Sequence, residues 1–159
     1  MSNIKDILNN PNEMFLDVYL NDFEEGSNEH KLISLFAYGS WNDYLSIEKS
    51  LPEQLRLYPN SEAAKKLKKL TLLSLFAKGS KISFGKIKEE LKIDNIIDIE
   101  SLVIDLMASN LIDAKIDEQT NCVICDRAVS RCIKNDEESI KTILNEIKSF
   151  RGKIASALR

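Results

Sequence analysis

The chain has 159 residues, 43% hydrophobic and 30% charged, with a formal net charge of −3. This excludes a disordered or fibrous chain and suits one compact domain, or a helical array fused to a small module. No apolar run nears the roughly 20 residues of a membrane span, and the opening Met-Ser-Asn-Ile-Lys has no signal-peptide pattern, so a soluble intracellular protein is expected.

The first stretch reads as short helices. Ile4, Ile7 and Leu8 mark one, Met14, Phe15, Val18 and Tyr19 a second at helical spacing, and Asn10-Pro11-Asn12 separates them. A third carries Leu32, Leu35 and Phe36 and stops at Gly39, where positive φ is expected to close the last turn. A fourth runs from about Trp41 to Lys49 and is stopped by Leu51-Pro52, because the residue before proline avoids helical geometry.

A long helix begins at about Ser61, whose side chain can cap it. Its end repeats an earlier segment. Leu32 to Ser40 recurs as Leu72 to Ser80, identical at seven of nine positions and offset by forty. That period fits stacked helical hairpins, each closed by an apolar end and a glycine stop.

The pattern then changes. Lys81-Ile82-Ser83 is a candidate strand, Phe84, Ile87 and Leu91 mark a helix, and Ile99, Leu102, Val103 and Leu106 mark another. Ile112, Ala114 and Ile116 alternate with Asp113, Lys115 and Asp117, and Asn121 to Cys125 answers across Glu118-Gln119-Thr120 as a hairpin. Strand, helix, helix, hairpin is the order of a winged helix. From about Asp136 to Leu158 runs one amphipathic helix, with Ile140, Ile143, Leu144, Ile147, Phe150, Ile154 and Leu158 along one side. Such a seam needs a partner surface, in its own domain or on another chain.

Charge divides along the chain: four Lys/Arg against ten Asp/Glu through Asn60, then eighteen against fifteen. The second winged-helix helix, the usual DNA reader, lies between Lys92 and Lys115, where there is no basic residue but Asp94, Asp98, Glu100, Asp105 and Asp113. Phosphate contacts supply most non-specific nucleic-acid affinity, so this helix is poorly made for the major groove. Lys65, Lys66, Lys68 and Lys69 read as the solvated flank of another helix.

Chemistry is sparse. Cys122, Cys125 and Cys132 are an odd set suited to a reducing compartment. Cys122 and Cys125 form one Cys-x-x-Cys without a second pair, in a strand whose odd spacing sends the two to opposite faces. The single histidine, His30, stands at a helix start, and no phosphate-binding glycine loop is present. No catalytic residue, cofactor or metal site is expected.

The segment Phe36-Ala37-Tyr38-Gly39-Ser40-Trp41-Asn42-Asp43-Tyr44-Leu45 with Leu51-Pro52, the run Lys66 to Leu75, the stretches Ile99 to Asp105 and Leu111 to Asp117, and Ala128-Val129-Ser130-Arg131 together resemble the PCI-domain family, in particular its COP-nine signalosome branch. The resemblance covers about Leu32 to Ile133. Trp41 and Asn42 stand where the family usually has Tyr and Lys, Ala108 where it has Tyr, and Ala114 where it has Gly.

The resemblance implies a mostly α fold: a HEAT/TPR-like helical part over 1–80, a winged helix with a small antiparallel sheet over 81–134, and a C-terminal helix over 135–159. It implies a scaffold without catalysis, whose partners are other PCI-domain subunits and the metalloprotease-containing core of a complex that removes a ubiquitin-like modifier from cullins. Nucleic acid and membrane are not expected partners, and cytoplasm and nucleus are the expected locations. Sheets of this type join edge to edge, which puts Ile112, Ala114, Lys115, Ile116, Val123 and Cys125 at one contact. The terminal helix joins a bundle, which puts Ile140, Ile143, Ile147, Phe150 and Ile154 at another. Family members are usually longer, so a short or truncated relative is expected. The rival readings are a PCI subunit of the proteasome lid or of translation initiation factor three, or a winged-helix nucleic-acid-binding adaptor.

Overall fold

The computed structural model describes residues 3–129, 131 and 137–157. Cys132, Leu158 and the boundary at 134–135 lie outside the described residues.

Short polar side chains start the helices. Asn3 caps α1 (Ile4–Asn9), Ser27 caps α2 (Asn28–Tyr38), and Ser61 caps α4 (Glu62–Lys78), each accepting a bond from a first-turn N–H. Between α2 and α4, α3 (Trp41–Ile47) opens with a reciprocal box: the Asp43 N–H donates to Ser40, and the Ser40 N–H to Asp43. Ser83 and Asn95 cap α5 (Phe84–Leu91) and α6 (Ile96–Ala108). Lys92, at φ 53, ends α5 in the left-handed region.

Met14 to Tyr19 do not form the expected α-helix. A 3-10 segment over Asp17–Asp22 stands there instead, and Val18 is exposed. The spacing suited a helix, yet Met14, Phe15, Tyr19 and Leu20 reach the core edge from an irregular path.

Helix α4 is the axle of the molecule. It packs on α1, α3, α5 and α6 and on two strands of the sheet, so residues around most of its circumference are buried, among them Leu67, Leu70, Leu72, Leu73 and Phe76. Each such side chain contributes roughly 1.5–3 kcal/mol through burial. Its lysines are therefore not one solvated flank. Lys66 is buried and donates to the carbonyl oxygens of Ile7 (3.2 Å) and Asn10 (2.6 Å), satisfying the open end of α1. Lys68 lies over the Trp41 ring at 4.7 Å, Lys69 pairs with Asp105 at 3.5 Å, and Lys65 pairs with Glu62 at 3.6 Å.

The three strands are β1 (Lys81–Ser83), β2 (Ile112–Asp117) and β3 (Cys122–Ala128), antiparallel in the order β1-β3-β2. The β2–β3 turn is tied by Asp117, whose carboxylate accepts from the N–H groups of Gln119 (3.0 Å) and Thr120 (3.4 Å), and by Asn121 at φ 51. Helical hairpins and a winged helix with α5 and α6 against this sheet make the architecture.

Both echoed helix ends close alike: the N–H of Gly39 donates to Leu35 O, and that of Gly79 to Leu75 O. Positive φ is not the reason for either glycine. Gly39 sits at φ −92 and Gly79 at φ −163. At Gly39 the reason is space, because a Cβ there would lie 2.7 Å from Leu35 Cδ2 and 3.1 Å from the Leu35 backbone.

Candidate assembly surfaces

The sheet has two edges of unequal length. β1 offers three residues and β2 offers six. β3 lies between them: Ile82 faces Val123 on one side, and Ile116 faces Val123 on the other. The placement of Val123 and Cys125 at an edge contact is thus corrected, since both belong to the central strand and are buried. The reason is β1, a strand expected from the sequence but without a foreseen partner, which pairs with β3 and covers its second side. On β2, Ile112 is buried, Ala114 and Ile116 are half-buried, and Lys115 is exposed. A β-bulge between Asp113 and Ala114 and the Arg127–Asp113 pair at 2.9 Å shape its outer face.

The second surface is α7 (Glu137–Ala157). Ile140, Leu144, Ile147, Phe150 and Ile154 are exposed, Phe150 to 66%, and Ile143 is half-buried. No described residue of α7 belongs to the core cluster.

The face of α6 turned to solvent carries Ile97, Ile104 and Asp98, and Ile97 is 70% exposed. Sequence reasoning missed this pair. The available signal was a count: α6 holds more large apolar residues than one buried stripe can take, and Ile99, Leu102, Val103 and Leu106 already fill that stripe.

Titratable groups behave as joints. Burial pushes the Lys66 ammonium down to about 8 from 10.5, and burial also lowers Lys68. The Tyr44 phenol is raised by burial and accepts the Leu57 N–H at 2.8 Å. Burial raises the Cys125 thiol, away from the reactive thiolate. Cys122 and Cys125 are both buried and form no disulfide. Among the described residues, no group of three or more His, Cys, Asp or Glu comes together to hold a metal. No described helix is long and apolar enough to cross a membrane.

Several residues inside the segments that resemble the family are joints between helices, Trp41 and Asn42 among them although they depart from its usual Tyr and Lys. The Trp41 N–H donates to Thr71 Oγ1 at 2.9 Å, binding α3 to α4, and Asn42 donates to Glu90 at 3.3 Å, binding α3 to α5. Trp41 and Tyr44 rings lie 5.2 Å apart.

Comparison with known proteins gives a consistent picture. The chain is 30% identical over 131 residues to subunit 7 of the COP9 signalosome complex of Dictyostelium discoideum, covering 82% of this chain and 49% of that protein. It is 32% identical over 108 residues to the Drosophila melanogaster subunit 7, covering 67% and 37%. It is also 26% identical over 159 residues to subunit M of human eukaryotic translation initiation factor 3, covering 95% and 42%. The chain thus spans about half the length, or less, of these curated relatives. The PCI domain matches residues 42–127, from the start of α3 to the end of β3. With more than half of its residues in that match and the joints of α3 and α4 in place, this chain belongs to the PCI-domain family.

Proposed function

We propose that the chain is a non-catalytic scaffold subunit of the COP9 signalosome, in the position held by subunit 7. The observation that carries this reading is the likeness to signalosome subunits 7 over two thirds or more of this chain. The physical means are at hand. The free β2 edge offers unpaired backbone groups for strand addition, and the exposed α7 seam offers apolar surface for a helical bundle. In this reading the partners are other PCI-domain subunits and the metalloprotease-containing core that acts on cullins, in cytoplasm and nucleus.

The test is mass spectrometry of what co-purifies with the tagged protein from its source cells at moderate salt. Recovery of a metalloprotease subunit with other PCI chains supports the reading. The likeness to subunit M over 95% of the chain favours a second one, a subunit of an initiation-factor assembly. Recovery of ribosomal factors in place of the metalloprotease would support that second reading and overturn the first.

A further inference from the structure

We propose that α7 also pairs with α7 of a second copy of this chain, antiparallel, when no other partner covers its seam. Apart from the half-buried Ile143 the seam is exposed, and it lies outside the core cluster. Its spacing of three and four alternates strictly from Ile140 through Ile143, Ile147, Phe150 and Ile154 to Ala157, which is a two-stranded coiled-coil pattern over three heptads.

Two independent features set the partner and its direction. The first is side-chain volume. Antiparallel about the point between Lys148 and Ser149, Ile147 meets Phe150 of the second copy, Ile143 meets Ile154, and Ile140 meets Ala157. Every layer contains at least one isoleucine, and the largest and smallest residues never meet their own kind. Parallel pairing would stack Phe150 on Phe150 and Ala157 on Ala157, leaving an overfilled layer and a hollow one.

The second is charge. Residues 137–146 hold three Glu and one Lys, whereas residues 148–157 hold two Lys and one Arg and no acid. Antiparallel pairing lays the acidic half on the basic half, with Glu146 beside Lys153 of the second copy at the flanking positions that choose partner and orientation. The two helix dipoles then also oppose each other favourably. Three heptads give a marginal helix pair, so the dimer is weak, forms with rising concentration, and yields to any partner that buries the same seam.

Sedimentation equilibrium of the purified full chain at low salt, from a few to a few hundred micromolar, tests this. A reversible monomer–dimer equilibrium is expected. Phe150→Asp should give monomer with an unchanged thermal transition of the domain. Glu146→Lys should weaken dimerisation several-fold, and adding Lys153→Glu should restore it. In a parallel pair Glu146 would face Arg151 instead, so rescue by Glu146→Lys with Arg151→Glu would overturn the antiparallel arrangement. Monomer throughout the range, or a dimer that Phe150→Asp leaves intact, would overturn the pairing itself. Because these readouts use the purified chain alone, they can fail while signalosome co-purification succeeds, and the reverse.

Discussion

Arg131 donates from Nη2 to the carbonyl oxygen of Phe36 at 3.0 Å, across ninety-five positions of chain (|i−j| = 95). Its Nη1 donates to Gly39 O at 2.6 Å and to Ser74 Oγ at 3.0 Å. One guanidinium thereby holds the end of α2 and the side of α4, the two helices that carry the echoed segment, from the chain just past the sheet. A planar fork with several donors suits this role, and an ammonium does not.

Arg131→Ala should therefore lower stability by roughly 2–4 kcal/mol, since charged hydrogen bonds are lost and helix-end carbonyls are left unsatisfied. Arg131→Lys should recover less than half of the loss. Urea unfolding of both variants checks this, and near-wild-type stability of the alanine variant would refute the clamp.

The two glycine stops should respond differently. Gly39→Ala forces a Cβ against Leu35 and should cost about 1–2 kcal/mol. At Gly79 the nearest atom to a new Cβ is Ile82 Cδ1 at 3.7 Å, so Gly79→Ala should stay within about 0.5 kcal/mol of wild type. Equal melting temperatures for the two variants would contradict the steric reading.

Lys66 gives the fold a pH dependence of definite sign. Its ammonium titrates near 8 in the folded chain and near 10.5 when exposed. Below pH 8 both states are charged and the folded state bears the full desolvation cost. Between pH 8 and 10.5 the unfolded chain holds the proton that the folded one has released, so stability rises through this window. The buried Tyr44 and Cys125, raised in the fold, work in the opposite direction at the alkaline end. The difference between wild type and Lys66→Met isolates the lysine, and its contribution should grow by about 1–2 kcal/mol from pH 7.5 to 9.5. A difference that stays flat with pH would show that the amine remains well hydrated.

Replacing Ile143, Ile147 and Phe150 together by Asn should release the chain from the complex proposed above while leaving the domain melt unchanged, because the seam lies outside the core. Retained co-purification at wild-type level would remove α7 from the assembly surface.

Duplex DNA should show no salt-dependent shift with this chain. The solvent face of α6 presents Ile97, Asp98 and Ile104, and three of the four lysines of α4 that could have served a nucleic acid are committed to Asp105, Trp41 and the end of α1. Binding that weakens steeply as salt rises would restore the nucleic-acid reading.

Apart from the helix expected over Met14 to Tyr19, the helices and the hairpin were legible because each has a local cause: an apolar period, a capping Ser or Asn, and an alternation across a turn. The terminal seam was legible for the same reason. What the residues hid is non-local. β3 became central only because a three-residue strand forty-one positions earlier pairs with it, at Ile82 and Val123. Lys66 looked solvated among three other lysines, and only the end of α1, fifty-nine positions away (|i−j| = 59), makes its burial tolerable. Gly39 was correctly read as a stop, but for conformational freedom, whereas the structure uses its lack of a side chain.

The echoed ends also show where the chain decides to stop repeating. After Gly39, Ser40 begins another helix because Asp43 returns its bond. After Gly79, Ser80 instead gives its carbonyl to the Cys125 N–H at 2.7 Å, and the chain runs into β1. An identical stop leads to opposite outcomes, so the stop itself carries no instruction about the next element. A helical stack built on such a unit can be lengthened by one hairpin, or terminated by a sheet, through changes confined to the three or four residues after the glycine, leaving every buried contact before it untouched.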